Sequence, residues 1–300
     1  MDRSALDGEG VSLRIGGFSI LCSAKTKLNG EVFHLPSPFM AFVRQKTEPA
    51  ELRFTVDESF PSDPAEPVFR AENFMWNSFY RRADGGLDWY RRNGEEEEPG
   101  IRLHILDNWS SLVLSRNRAT PPRFRGEKLA FECGCAFNYA MLAHDGCVFH
   151  GVVMEHEGKG ILVTARSGVG KTTHTRLWRD CENALILNGD RSLCRRIDGK
   201  WYAYGMPWCG TSGEYINRRV PISCIVELRR GETNRVEEVS PFEASMYLLE
   251  RIFAPVWEPE LREKAVDSCR ELGSAIPVLR LSCRPDPDSV RVLKQAIQSL

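Results

Sequence analysis

Three hundred residues, 42% of them hydrophobic, suffice for one large domain or two small ones with a sizeable core. Lys+Arg 40 against Asp+Glu 41 leaves a formal net charge of -1, which excludes a global field that recruits nucleic acid or an anionic membrane. No apolar run approaches the roughly 18 residues a bilayer span needs; the 10 cysteines are scattered without a C-x-x-C, and the N-terminus lacks a basic-then-apolar segment, so a reducing cytoplasm is expected.

Residues 1–125 read as a β-rich, antiparallel module. Val11–Ile15, Phe18–Leu21, Leu52–Val56 and Ile101–Ile105 alternate apolar and polar side chains, as half-buried strands do. Trp76, Tyr80, Trp89, Tyr90 and Trp109 are expected in its core or in cross-strand pairs. Glu95–Glu98 forms a solvated loop tip, and Arg116–Arg125, with two prolines, a connector. Residues 126–300 form the second domain. It opens with a buried helix over Leu129–Leu142, followed by a strand, Cys147–Met154, that carries His150. Cys133 and Cys135, with His144 nearby, match no common zinc spacing and are expected to be buried thiols.

Ile161–Val163 then runs into Ala165-Arg-Ser-Gly-Val-Gly-Lys171-Thr172-Thr173, and Thr172–Asp180 can be helical. This is the pattern G-x-x-x-x-G-K-[ST] with alanine in place of the first glycine, a phosphate-binding loop. Gly168 and Gly170 let successive N–H groups converge on phosphate oxygens, and the following helix turns its positive end to the same anion. Lys171 would reach the β- and γ-phosphates and Thr172 would hold Mg²⁺. Ala184–Leu187 is a second buried strand, ending in Asn188-Gly189-Asp190, where a carboxylate for Mg²⁺ would sit. His150, one strand upstream, is divided between a packed and a functional role; His156 and His174 have no comparable context.

Leu193–Ile197, an Asp198-Gly199 turn and Trp201–Tyr204 make a hairpin. The glycine-rich stretch Gly205–Arg219 reads as an active-site loop or an ordinary connector, with Trp208 and Cys209 either lining a site or packing. Of the basic residues downstream of the phosphate loop, Arg195 and Arg196 read as a solvated face. Ile222–Leu228 is another buried strand. Ser240-Pro-Phe-Glu243 is a capping box opening a helix to about Phe253, with Phe242, Met246, Leu249 and Phe253 on one face. Leu261–Leu272 is a helix, Val278–Leu281 a strand, and Asp286-Pro287 starts a last helix carrying Val290, Leu293 and Ile297.

His150-Gly-Val-Val-Met, Ser167-Gly-Val-Gly-Lys171-Thr172 and Asp190-Arg191 together resemble the kinase domain of HPr kinase/phosphorylase, whose fold is shared with ATP-dependent phosphoenolpyruvate carboxykinase. The resemblance runs from about Gly146 to the C-terminus. With the β-rich module read from alternation in front of it, the expected fold is α/β (α+β), a β-rich module followed by a P-loop domain, and the resemblance implies ATP with Mg²⁺ as cofactors. By position, Ser167, Gly168, Val169, Gly170, Lys171, Thr172 and Thr173 would bind the nucleotide, and Thr172 and Asp190 the metal. His150, Lys171, Asp190 and Arg218 would be catalytic, with Asn217-Arg218 resembling the family's signature segment. The family usually has two consecutive aspartates where this chain has Gly189-Asp190, which leaves Asp190 or His150 as the base.

The reading that follows is a kinase that phosphorylates a serine hydroxyl of a protein or of a ribosomally made peptide, as relatives acting on lasso peptides do. A small-molecule kinase for free serine and a non-catalytic nucleotide-binding regulator are the alternatives. A homo-oligomer is implied by the resemblance alone, since no interface motif is present; neither nucleic acid nor a membrane is an expected partner.

Overall fold

A computed structural model describes residues 5–6, 10–24, 33–45, 48–57, 59–62, 66–73, 75–92, 94, 97–117 and 126–300. It is a mixed α/β chain with two large sheets and few helices. It divides into two compact units, Met1–Ala140 and Met141–Leu300.

The first unit holds the strands β1 (Ala5–Leu6), β2 (Val11–Ile15), β3 (Phe18–Ala24), β4 (Phe33–His34), β5 (Leu52–Asp57), β6 (Phe69–Asn73), β7 (Met75–Arg81), β8 (Leu87–Arg92), β9 (Ile101–Leu106) and β10 (Ser111–Arg116). Helix α1 (Gly126–Ala143) follows, and the division between the units falls inside it. Eight strands form one sheet in the order β2-β3-β5-β10-β9-β8-β7-β6. The purely antiparallel module expected from the alternation is corrected here: β5 runs parallel to both β3 and β10. Alternation along a strand reports which face is buried and carries no information about partner direction. β8 shows no alternation because both its faces are covered. Its Asp88 is fully buried, paired with Arg102 at 2.7 Å, and has His104 Nδ1 at hydrogen-bond distance, 2.6 Å. Tyr80, Trp89 and Tyr90 are buried, with Tyr80 and Tyr90 meeting edge to face at 5.6 Å, and Trp109 packs edge-on to Tyr139 at 6.1 Å. The side chain of Trp76, Glu95–Glu96 and most of the expected connector lie outside the described residues.

The second unit contains β11 (Gly146–His156), β12 (Lys159–Thr164), α2 (Lys171–Glu182), β13 (Leu185–Asn188), β14 (Arg191–Ile197), β15 (Lys200–Tyr204), β16 (Arg219–Arg230), β17 (Arg235–Val239), α3 (Pro241–Leu249), α4 (Pro259–Ala275), β18 (Val278–Cys283) and α5 (Pro287–Gln298). Its sheet order is β12-β11-β14-β15-β16-β18-β17, with β13 added on β11 and a further parallel pairing of β12 with β16. The pairings therefore close a circuit from β12 through β11, β14, β15 and β16 back to β12. Parallel β12 and β16 carry near-continuous apolar runs, as strands covered on both faces must, whereas their neighbour β18 alternates. Val163, Val226 and Leu281 from these strands form one core with Trp178 of α2 and Val290, Leu293 and Ile297 of α5. Asp198 and Gly199 both have positive φ, 49° and 80°, the geometry a two-residue hairpin needs.

Helix α3 differs from expectation in length and in the face it buries. The Ser240–Glu243 capping box is formed, but the helix stops at Leu249. Beyond it Ile252 pairs with Phe149, and the Phe253 N–H donates to the Val148 carbonyl at 2.8 Å, so sheet pairing with β11 overrides the helical periodicity. Ala244 and Leu248 are buried, whereas Phe242 and Met246 are 75% and 52% exposed.

Among the described residues no group of three or more His, Cys, Asp or Glu side chains is placed to hold a metal ion. Cys133 and Cys135, expected as buried thiols, are free and only partly buried; the Cys133 pKa is raised by desolvation first and then by Cys22 and Cys135. No helix among the described residues is long and apolar enough to cross a membrane.

Candidate functional site

Strand β12 delivers the chain into the loop Ala165–Gly170 at the C-terminal ends of parallel β12 and β16. Open α/β sheets place ligand crevices at such strand ends. Gly168 and Gly170 have φ of 75° and 125°, which side chains rarely adopt, and a Cβ at either would meet nothing within 4 Å. The glycines therefore serve backbone conformation, and the space beside them is open. Gly170 is the N-cap of α2, and no side chain caps the helix. The N–H groups of its first turn are thus aimed at the loop without a competing side-chain acceptor, the arrangement that receives an anion. Ser167 and Thr173 are exposed, while Val169, Lys171 and Thr172 are half-buried.

Lys171 turns back across the loop. Its ammonium donates to the Ala165 carbonyl at 3.1 Å and lies 3.1 Å from His150 Nε2. His150 Nδ1 faces Asp190 Oδ1 at 3.5 Å, and Asp190 Oδ2 lies 3.6 Å from Arg191 Nε. Three elements thus bring Lys171, His150 and Asp190 together. Burial lowers the His150 pKa and Lys171 lowers it further, while Asp190 works the other way. A neutral imidazole with its proton on Nδ1 satisfies both neighbours, since Nε2 must accept from the ammonium. Burial also lowers the Lys171 pKa, against the raising effect of Asp190.

Arg218 is placed elsewhere. Its guanidinium donates to Glu155 Oε1 at 2.7 Å, and none of its described contacts reaches Lys171, His150 or Asp190.

Three residues of the site have no role in the sequence reading. Asn188 is fully buried; its Oδ1 accepts from the N–H groups of Asp190 and Arg191 at 2.9 and 2.8 Å, and its Nδ2 donates to the Met206 and Trp208 carbonyls. It sets the turn that presents Asp190, and Asn-Gly-Asp after a strand is the signal that points to such a turn. Arg251 accepts the His150 N–H on its carbonyl at 2.8 Å, and its charge lowers the pKa of both His150 and Lys171. No local pattern announces it. Ser212 fills the space beside Gly189: a Cβ there would lie 2.0 Å from Ser212 Oγ and 2.6 Å from Ser212 Cβ. An aspartate at 189 has no room while Ser212 stays in place. Gly189→Asp is expected to cost about 1–3 kcal/mol of stability, with Ser212→Gly restoring most of it; wild-type stability in the single variant would refute this packing.

His174 has a structural role. It is buried, accepts from Trp178 Nε1 at 3.2 Å, and its pKa is lowered by burial from 6.5 to about 4. Between those values the unfolded chain binds the proton and the folded one does not, so stability falls as pH drops from 6.5 towards 4 and levels off below. The loss is expected to be about 3 kcal/mol. It should be absent in His174→Gln, as read from urea unfolding at several pH values.

No family model and no curated protein matches the chain. Among solved structures it has a weak likeness to the Hpr(Ser) kinase/phosphatase from Coxiella burnetii, with a TM-score of 0.31 and 10% identity over 51% of this chain and 97% of that one. The functional reading therefore rests on the residues of the site.

Proposed function

We propose that the chain is an ATP- and Mg²⁺-dependent phosphotransferase that moves the γ-phosphate to a serine hydroxyl of a protein or ribosomally made peptide. The observation that carries the reading is the convergence of Lys171, His150 and Asp190 at the mouth of a glycine loop that opens an uncapped helix. The open space beside Gly168 and Gly170 suits phosphate oxygens. Thr172 and Asp190 offer oxygen donors only, which suits Mg²⁺ completed by phosphate oxygens and water. When bound, the ion would neutralise charge on the transferred group.

In this reading the loop N–H groups, from Ser167 to Thr173, position the phosphates, and Lys171 swings from Ala165 to the β- and γ-oxygens. The serine oxygen bonds to phosphorus as the bond to the ADP leaving oxygen breaks, and the hydroxyl proton passes to Asp190 or to the neutral His150. Arg251 adds positive charge at the same end of the site. Arg218, held by Glu155, anchors the loop that packs behind Asp190.

The test is mass spectrometry after incubation with ATP and Mg²⁺, offering HPr, free serine and short serine peptides. Phosphate on a polypeptide serine, absent with Lys171→Ala, is the expected result. Transfer to free serine alone would replace it with the small-molecule reading. A second reading, a nucleotide-binding regulator, is favoured by Gly189 and the Ser212 side chain packed against it. ATP binding without transfer to any acceptor would select that reading.

A further inference from the structure

The apolar stripe of α3 that the core leaves out lines a groove of about 830 Å³ beside the phosphate loop. One wall is Phe242, Met246 and Leu249; the other is Arg166 and Val169 of the loop with Leu228–Arg230 at the end of β16. Its inner end is Tyr247 and Arg251, whose guanidinium lies over the tyrosine ring at 4.9 Å. Arg251 also bonds through its carbonyl to the His150 N–H, so the groove shares Arg251 with the His150–Lys171 end of the site. Tyr247 Oη is 2.9 Å from the hydroxyl of Thr164, the last residue of β12.

The charges of the groove are unevenly matched. Glu227 is shared by Arg229 at 2.6 Å and Arg280 at 2.8 Å, Glu250 pairs with Arg251, and Glu243 is engaged in the capping box. Arg230 donates to the Gly168 carbonyl at 2.6 Å, and Arg166 is exposed. Among the described residues neither has a carboxylate partner. Two unneutralised guanidinium groups therefore stand opposite two exposed apolar side chains, at the entrance to a site that needs an acceptor.

We propose that this groove binds the acceptor polypeptide, seating an apolar side chain on Phe242 and Met246 and an acidic side chain on Arg166 and Arg230, within a few residues of the serine. The inference rests on the phosphotransferase reading and adds the acceptor's chemistry to it. An open trough with one apolar and one cationic wall recognises a peptide by alternate side chains.

The test uses synthetic serine decapeptides whose flanking residues are acidic and apolar, basic and apolar, or polar only. Their binding to the full chain is read by fluorescence anisotropy with ADP present, and binding of a fluorescent ATP analogue is measured in parallel. The acidic and apolar set is expected to bind about tenfold more tightly than the basic set. Met246→Glu should remove that advantage with the ATP analogue bound as before, and Arg166→Glu should reverse the charge preference. Both side chains are exposed, so neither substitution opens the core.

Equal or absent peptide binding overturns the proposal. So does loss of ATP-analogue affinity in Phe242→Glu, which would put the base in the groove, or a wild-type dimer that Met246→Glu splits, which would put a second copy there. Absence of ATP-analogue binding by the wild type would instead overturn the phosphotransferase reading, with peptide selectivity still measurable.

Discussion

Lys171→Ala is expected to lower phosphate transfer by about 10³-fold, the loss typical of removing a preorganised donor from developing charge. The fold should barely register the change. The ammonium is half-buried and its pKa is lowered by burial, so the hydrogen bonds to Ala165 and His150 offset a desolvation cost that the alanine variant does not have. Activity and thermal midpoint should therefore separate, the first falling steeply and the second moving by a few degrees at most. Asp190→Asn supplies the companion result. Asp190 is the group that raises the His150 pKa, so its removal leaves the imidazole harder to protonate, and any residual activity should keep its acid limb at lower pH. Transfer at the wild-type rate in Lys171→Ala would overturn the assignment of the loop. A change confined to nucleotide affinity would point to the regulator.

The largest effect on stability is expected from Gly205→Ala, more than 30 residues from Lys171 in sequence. A Cβ on Gly205 would lie 1.9 Å from the Ile216 carbonyl oxygen and 2.8 Å from that of Leu187. Both obstacles are backbone, so no rotamer change relieves them. The same carbonyl of Leu187 accepts the Ile216 N–H at 2.9 Å, and the Gly205 N–H donates to Arg218 at 2.9 Å. A methyl group here forces the loop 205–218 away from β13. That displaces the Met206 and Trp208 carbonyls to which Asn188 donates, and with them the turn that presents Asp190. A loss of about 3 kcal/mol or more is expected, with faster hydrogen exchange at Ile216 and Asp190. A variant within about 0.5 kcal/mol of wild type would contradict the close approach.

Local pattern was sufficient wherever the determining physics is local. The glycine loop was legible because its glycines are required by backbone conformation, whatever surrounds them, and Gly168 and Gly170 do hold positive φ. The capping box at Ser240 and the amphipathic stripe of α5 are likewise formed by residues three or four apart. The meeting of His150, Lys171 and Asp190 was expected only from the family resemblance; it depends on β11 pairing with both β12 and β14, which local pattern does not give.

Tertiary structure decided what depends on partners distant in sequence. The parallel pairings of β5 are set by which strands cover one another, which alternation does not encode. The end of α3 follows from the pairing of Ile252 and Phe253 with β11, and the face that α3 buries, Ala244 and Leu248, leaves Phe242 and Met246 exposed. Arg251 reaches the site through the same pairing, and Ser212 occupies the space beside Gly189 only because the loop 205–218 folds back on β13. A sequence specifies side chains and short-range geometry directly. The neighbours of a side chain depend on the summed packing of the chain, and in this protein that packing determines the surroundings of Asp190 and the groove beside the glycine loop.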